Sequence, residues 1–101
     1  MSNEEQTEAM NGDEPETIVI EADATVVELT ASRLRKIDGL DGLTKIETLN
    51  MRQNLIAKIE NLSQLTTLKS VDLYDNHIQN IEGLETLIGL KHLDLSFSRS
   101  F

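Results

Sequence analysis

The sequence predicts an α/β fold: a curved solenoid of 22-residue units, with parallel strands on its concave face and short helical segments on its convex face. Three observations predict it. Apolar residues recur at one fixed interval from Ala24 onward, alternate residues at the start of each unit are apolar, and turn-forming residues follow at a fixed distance. A period of this length is typical of stacked units, none of which can bury its apolar face alone.

The repeat keeps its register without an insertion. Three units span residues 24–45, 46–67 and 68–89, and a partial unit follows at 90–101; together they define a predicted repeat domain over residues 24–101. The repeated positions of the third unit are Leu68, Val71, Leu73, Asn76, Ile78, Ile81, Leu84 and Leu87. This spacing of leucine, asparagine and isoleucine is the leucine-rich-repeat pattern, so we expect a leucine-rich-repeat solenoid.

Each unit is predicted to begin with a strand and to turn at a polar residue. In the third unit Val71 and Leu73 alternate with Asp72 and Tyr74, which predicts two inward and two outward side chains. Asn76 follows where the chain must leave the strand. We expect its amide to satisfy backbone groups of neighbouring units that would otherwise be buried without a partner.

The apolar residues after the turn predict a short helical segment that returns over the core. The acids that precede this segment are Asp38, Glu60 and Glu82. Carboxylates are favoured near a helix N-terminus, so these three are interpreted as structural. Gly39 and Gly83, with Asn61 between them at the equivalent position, favour a turn before the segment.

The negative charge lies in one segment. The chain of 101 residues has a net charge of −9, and residues 1–23 hold eight acids and no lysine or arginine. This segment is predicted to be an acidic, largely disordered tail. The charge argues against binding to nucleic acid or to an anionic membrane surface, and no apolar run reaches the roughly 18–20 residues that span a bilayer.

No residue pattern indicates catalysis. The chain has no cysteine, and its two histidines, His77 and His92, occupy variable repeat positions. A zinc site therefore lacks ligands, and no phosphate-binding glycine loop or nucleophile motif is present. We predict a protein that is not an enzyme and uses neither a metal nor a cofactor.

The outward side chains of the strands are the candidate binding surface. They are Glu28, Thr30, Asn50, Arg52, Asp72, Tyr74, Asp94 and Ser96, with Gln53, Asp75 and Phe97 at the strand ends. Solenoids bind protein partners over such rows. Tyr74 is the only tyrosine; aromatic residues are enriched in interface hot spots, although the ring could equally serve to cover a neighbouring strand.

The stretch from Leu49 to Phe97 resembles the protein phosphatase 1 regulatory subunit 7 family, most specifically in the strings RQNLI, IENL and LYDN. The resemblance implies an intracellular leucine-rich-repeat subunit that binds the catalytic subunit of protein phosphatase 1 along the concave face. It also implies control of the activity and location of that subunit, in the nucleus and the cytoplasm.

The family's contacts map onto this sequence by repeat register. The position between the paired strand leucines is Asp94 in the last unit, which is the best match, preceded by Asp72 and Asn50. The full set of partner-binding candidates is Asp94, Asp72, Tyr74, Asn50, Arg52 and Phe97. An alternative remains open at this point: a non-catalytic scaffold of the same repeat type for a different intracellular protein.

The end of the sequence departs from the family pattern. Ser98 stands where a turn asparagine is expected, and Ser100 where an apolar core residue is expected. We therefore expect a short N-terminal form whose phosphatase binding is weakened. Its last strand and the core beneath Leu87, Leu93 and Leu95 are predicted to be exposed, and this C-terminal edge to self-associate.

Overall fold

A computed structural model describes residues 19–97, which form a four-stranded parallel sheet. The strands are β1 (Val26–Glu28), β2 (Thr48–Asn50), β3 (Ser70–Asp72) and β4 (His92–Asp94), and they lie side by side in chain order. Each strand pairs with the next in the register of the sequence repeat, so that Leu49 pairs with Val71 and Val71 with Leu93. The parallel strands expected from the sequence period are confirmed.

The centre of each of the first three strands is buried, and its two neighbours point outward. Val27, Leu49 and Val71 are at most 3% exposed, whereas the flanking residues of these strands are half-buried or exposed. This is the alternation that the sequence predicts for a sheet with one covered face.

Aliphatic side chains fill the space behind the sheet. The buried apolar residues are Val27, Ile37, Leu40, Leu43, Ile46, Leu49, Met51, Ile56, Ile59, Leu62, Leu65, Leu68, Val71, Leu73, Ile78 and Leu87. Many of them recur at the same positions of successive units, so the three complete units contribute similar layers of the core. The core therefore runs continuously from one unit to the next.

Two buried asparagines connect the units where the chain leaves β2 and β3. The Asn54 Oδ1 accepts hydrogen bonds of 2.9 Å from the backbone N–H groups of Ser32 and Leu34, one unit earlier. Its Nδ2 donates to the carbonyl oxygens of Leu29 and Met51, both at 2.9 Å. The amide thus pairs buried and partly buried backbone groups of two successive units, as predicted.

The predicted helical segments on the far side of the core are wrong for the part of the chain that the structure describes. Residues 19–97 contain no helix, and therefore none that could cross a membrane. Each return segment consists of successive turns instead. The N–H of Leu65 donates to Leu62 O at 2.9 Å, and that of Leu68 to Leu65 O at 3.1 Å.

The spacing of the core residues explains the absence of a helix. Buried residues follow one another at every third position from Ile59 to Val71. In an α-helix each three-residue step misses a full turn by about 60°, so five such positions would not share one face. Turns of three residues keep them aligned. Asp38, Glu60 and Glu82 consequently have no helix N-terminus to stabilise; Asp38 accepts a hydrogen bond from the Gly39 N–H instead.

The predicted turn at the start of each return segment is confirmed. Gly39, Asn61 and Gly83 have φ values of 76°, 61° and 74°. Asparagine tolerates this left-handed conformation better than most non-glycine residues. The Asn61 Nδ2 also donates to Ile37 O, at 2.6 Å, in the preceding unit.

The two ends of the sheet differ from its interior. At the first end Ile20 and Ala24 pack against the core, so the packed region begins before the predicted domain start at residue 24. At the other end Leu93 is 36% exposed and Leu95 is partly buried, but Leu87 is 5% exposed. The predicted exposure is therefore wrong for Leu87.

Most of the predicted tail, residues 1–18, lies outside the described residues, as do residues 98–101.

Candidate protein-binding surface

The outward side chains of the four strands and of the residues just after them form one surface, which we call the exposed sheet face. It has two rows, each with one residue from every unit: Glu28, Asn50, Asp72 and Asp94 on the strands, and Thr30, Arg52, Tyr74 and Ser96 beyond them. The strand register alone brings these eight side chains, from four distant stretches of sequence, onto one face.

The carboxylates and the amide of the first row have a structural task within their own units. The Oδ1 atoms of Asn50, Asp72 and Asp94 each accept a hydrogen bond from the backbone N–H two residues later, at 3.1, 3.0 and 2.9 Å. Aspartate and asparagine commonly stabilise turns in this way. These three residues, predicted as partner contacts, therefore also hold the chain where it leaves the strand.

Glu28 begins the row with a different arrangement, because its longer side chain reaches across to the next strand. Its Oε2 accepts a hydrogen bond of 3.0 Å from Asn50 Nδ2, and its Oε1 accepts one of 2.7 Å from the Thr30 hydroxyl. The first two strands are thus connected by side chains on the exposed sheet face as well as by their backbones.

Arg52 and Tyr74 of the second row form a stack with Phe97, which follows Ser96 in the chain. The Arg52 Cζ lies 4.6 Å from the centre of the Tyr74 ring, a cation–π distance. The Tyr74 and Phe97 ring centres are 5.9 Å apart with planes 19° from parallel, an offset-stacked arrangement. Phe97 is nevertheless 60% exposed. The stack is therefore a partly exposed pair of aromatic rings with the Arg52 guanidinium at one end.

Backbone conformation places Phe97 in this stack. Ala31, Gln53, Asp75 and Phe97 occupy equivalent positions in the four units and have φ values of 55°, 59°, 63° and 60°. A left-handed conformation is rare for a bulky residue such as phenylalanine. The same turn that ends every strand thus directs an aromatic side chain toward Tyr74 in the last unit.

Charges on the exposed sheet face are arranged around Arg52. Its Nε lies 3.3 Å from Asp72 Oδ2, an ion pair without hydrogen-bond alignment, and both side chains are partly exposed. Such pairs contribute about 0–1 kcal/mol to stability. The side-chain and backbone hydrogen bonds from Ser96 lower the pKa of the Asp94 carboxyl, with a smaller contribution from the charge of Arg52. Asp94 is therefore an anion at neutral pH.

The structure brings four of the six predicted partner-binding residues into direct contact: Arg52, Asp72, Tyr74 and Phe97. Asn50 contacts Glu28 and Thr30, and Asp94 contacts Ser96. The sequence places Thr30 and Ser96 on this face and predicts no role for either. A hydroxyl group two residues after an acid would have indicated a role, because the hydroxyl can donate a hydrogen bond to that carboxylate where the chain turns.

Neither histidine belongs to a candidate metal site in the part of the chain that the structure describes. His77 is half-buried, His92 is exposed, and residues 19–97 hold no group of three or more histidine or acidic side chains that could bind a metal ion. The exposed sheet face itself carries aromatic rings, the Arg52 guanidinium and several carboxylates.

Comparison with models of known protein families and with curated proteins finds no match to this chain.

Proposed function

We propose that the chain is a leucine-rich-repeat, protein-binding regulatory subunit of protein phosphatase 1, which binds the catalytic subunit through the exposed sheet face. In this proposal the sheet is the concave side of a solenoid. The strand register, which matches the sequence repeat, and the buried asparagine of each inner unit support the repeat assignment. The resemblance of residues 49–97 to the regulatory subunit 7 family supports the choice of partner.

The observation that carries the proposal is the stack of Arg52, Tyr74 and Phe97. Arginine and tyrosine are among the residue types most enriched in interface hot spots, and tyrosine has few rotatable bonds to immobilise when it is covered. The stack holds these side chains in place before a partner arrives. A pre-arranged surface binds with a smaller entropic cost than a flexible one.

The carboxylates beside the stack orient a partner as it binds. Asp72 and Asp94 flank Tyr74 by strand register, and each uses its Oδ1 for its own turn. Their negative charge attracts lysine and arginine side chains of a partner and repels acidic ones, which affects the association rate and the register of docking more than the affinity.

The chain works as a binding subunit in this proposal. It performs no reaction of its own, requires no cofactor, and acts in the nucleus and the cytoplasm together with the phosphatase. The surface consists of a few side chains over four short strands, so we expect weak binding, toward the low end of the range for specific protein complexes.

The test is a binding titration of the purified phosphatase catalytic subunit against the full chain. Tyr74→Ala removes the centre of the stack and is expected to weaken binding by about 10-fold or more. Ile88→Ala is the matched control, because Ile88 is 92% exposed and lies in a return segment rather than on the exposed sheet face. It is expected to bind as the original chain does.

A folded chain that shows no saturable binding would overturn the phosphatase assignment. The second candidate, a non-catalytic leucine-rich-repeat scaffold for a different intracellular protein, would then be preferred, because an arginine–aromatic platform is not specific to one partner. Equal losses from Tyr74→Ala and Ile88→Ala would instead overturn the assignment of binding to the exposed sheet face.

A further inference from the structure

The outer edge of β4 differs from the same edge of every inner strand. Val71 at the centre of β3 is 1% exposed, whereas its equivalent in β4, Leu93, is 36% exposed. Ile59 is 1% exposed, and its equivalent Ile81 is 72% exposed. Among residues 19–97, nothing covers this end of the core in the way that each unit covers the one before it.

The hydrogen-bonding groups on this edge follow from the register. On the outer edge of β3, Lys69 O accepts from the N–H groups of Lys91 and His92 at 2.8 and 3.0 Å, and the Leu73 N–H donates to Asp94 O at 2.8 Å. The equivalent groups on β4 are Lys91 O and the Leu95 N–H. Neither has a hydrogen-bond partner among the described residues, so β4 presents both an acceptor and a donor to another strand.

These groups are self-complementary about a two-fold axis. If two β4 strands run antiparallel with Leu93 of each on the axis, Lys91 O of one copy faces the Leu95 N–H of the other. In the same register His92 stands opposite Asp94 of the second copy, and Asp94 opposite its His92. An imidazole N–H can donate to the Asp94 carboxylate whether the ring is neutral or charged.

We propose that a second copy of this chain binds the outer edge of β4, giving a two-fold symmetric dimer with one continuous sheet. Three features support this occupant: the outward acceptor and donor, the opposite chemistry of His92 and Asp94, and the apolar Leu93 on the axis. The interface is isologous, so it closes at two copies. The strands are only three residues long, so the dimer is weak.

A head-to-tail arrangement, in which β4 pairs with β1 of the next copy, is the competing geometry. It is disfavoured because Ile20 and Ala24 already pack against the core at the β1 end. It would also leave a free edge on each added copy and so extend into filaments. The two arrangements therefore predict different assemblies from the same edge.

Single cysteines test the register directly, because the chain has none of its own. Across a two-fold axis at a hydrogen-bonded antiparallel pair the Cα atoms are about 5.5 Å apart, within the range for a disulfide. Leu93→Cys is therefore expected to form a covalent dimer under mild oxidation. Val26→Cys is the matched control, because Val26 is an exposed strand residue at the opposite edge of the sheet, and it is expected to cross-link at least about 10-fold more slowly.

Charge variants test the facing pair in the full chain by sedimentation equilibrium. His92→Asp places like charges opposite each other twice per dimer and is expected to shift the assembly toward monomer. The double variant His92→Asp/Asp94→His restores opposite chemistry and is expected to recover dimer. Circular dichroism of each variant checks that the sheet persists.

A chain that stays monomeric up to about 1 mM, beyond weak-complex dissociation constants, overturns the proposal. So do filaments, or a dimer that cross-links no faster at Leu93→Cys than at Val26→Cys. The samples in these measurements contain no phosphatase, so the outcome does not depend on the proposed regulatory function.

Discussion

The side-chain amide nitrogen of Asn76 donates a hydrogen bond of 2.9 Å to the carbonyl oxygen of Met51, a residue 25 positions earlier in the chain. The same nitrogen donates to Leu73 O at 3.0 Å, and the Asn76 Oδ1 accepts from the Ile56 N–H at 3.0 Å. One fully buried amide thus pairs backbone groups of two successive units. The spacing between units is therefore held by a polar side chain within an otherwise apolar core.

Replacing this amide is expected to be costly. Asn76→Ala leaves several buried backbone groups without a partner, and each such group costs about 1–3 kcal/mol. We expect a loss of about 2–4 kcal/mol in the free energy of unfolding, measured by urea denaturation. Asn80→Ala is the control, because Asn80 is exposed. Equal free energies of unfolding for the two variants would contradict the role of the Asn76 amide in connecting successive units.

The turn at Gly83 gives a second prediction. Its φ is +74°, and a Cβ atom there would meet Ile59 O at 3.0 Å, a backbone atom of the previous unit. Gly83→Ala therefore combines backbone strain with a steric clash and is expected to cost about 2–3 kcal/mol.

Gly39→Ala separates these two costs. Gly39 has a φ of +76°, but no atom lies within 4 Å of the added Cβ. Only the strain of about 1–2 kcal/mol remains. Thermal unfolding of both variants measures the difference, and an equal loss from the two would show that the units are not in contact at Gly83.

Ile59 and Ile81 are equivalent in sequence but not in surroundings, which gives a third prediction. Ile59 is 1% exposed and Ile81 is 72% exposed. Ile59→Ala is expected to cost about 2–4 kcal/mol of unfolding free energy through lost burial and a cavity, whereas Ile81→Ala should cost less than about 0.5 kcal/mol. Denaturation midpoints at low protein concentration make the comparison. Equal effects would mean that the end of the core is covered in solution.

Much of this fold could be predicted from the sequence because its elements depend on local spacing. The fixed repeat interval predicted the strand register, and the alternation around Leu49 and Val71 predicted the buried face. The helical segments were predicted wrongly because the apolar residues between Ile59 and Val71 recur at every third position, a spacing that fits successive turns and not an α-helix.

The candidate site was less predictable, for a different physical reason. The outward residues follow from alternation, but the stack of Arg52, Tyr74 and Phe97 depends on side-chain rotamers in three units and on the left-handed backbone of Phe97. No local pattern indicates that conformation in a phenylalanine. The outward positions of Asp72 and Asp94 predict only partner contacts, so the turn-stabilising hydrogen bonds of these two residues do not follow from the alternation.

The pKa of Asp94 provides a test of the turn that follows β4 in the last unit. The Ser96 hydroxyl and backbone N–H both donate to its carboxylate, and these bonds lower the pKa of Asp94 in the folded chain. Since the folded-state pKa lies below the unfolded one, the carboxylate stabilises the fold at pH values above its ordinary pKa. That contribution is lost as the pH falls through the folded-state pKa.

Ser96→Ala removes the side-chain hydrogen bond, which lowers the pKa of Asp94 more than the backbone bond does. The variant should therefore raise the Asp94 titration midpoint, observed by NMR of the side-chain carboxyl. Thr30→Ala removes a hydroxyl from the same row at the opposite edge of the sheet and should leave the midpoint unchanged. An Asp94 midpoint that does not move in Ser96→Ala would show that the turn after β4 is not held by this pair.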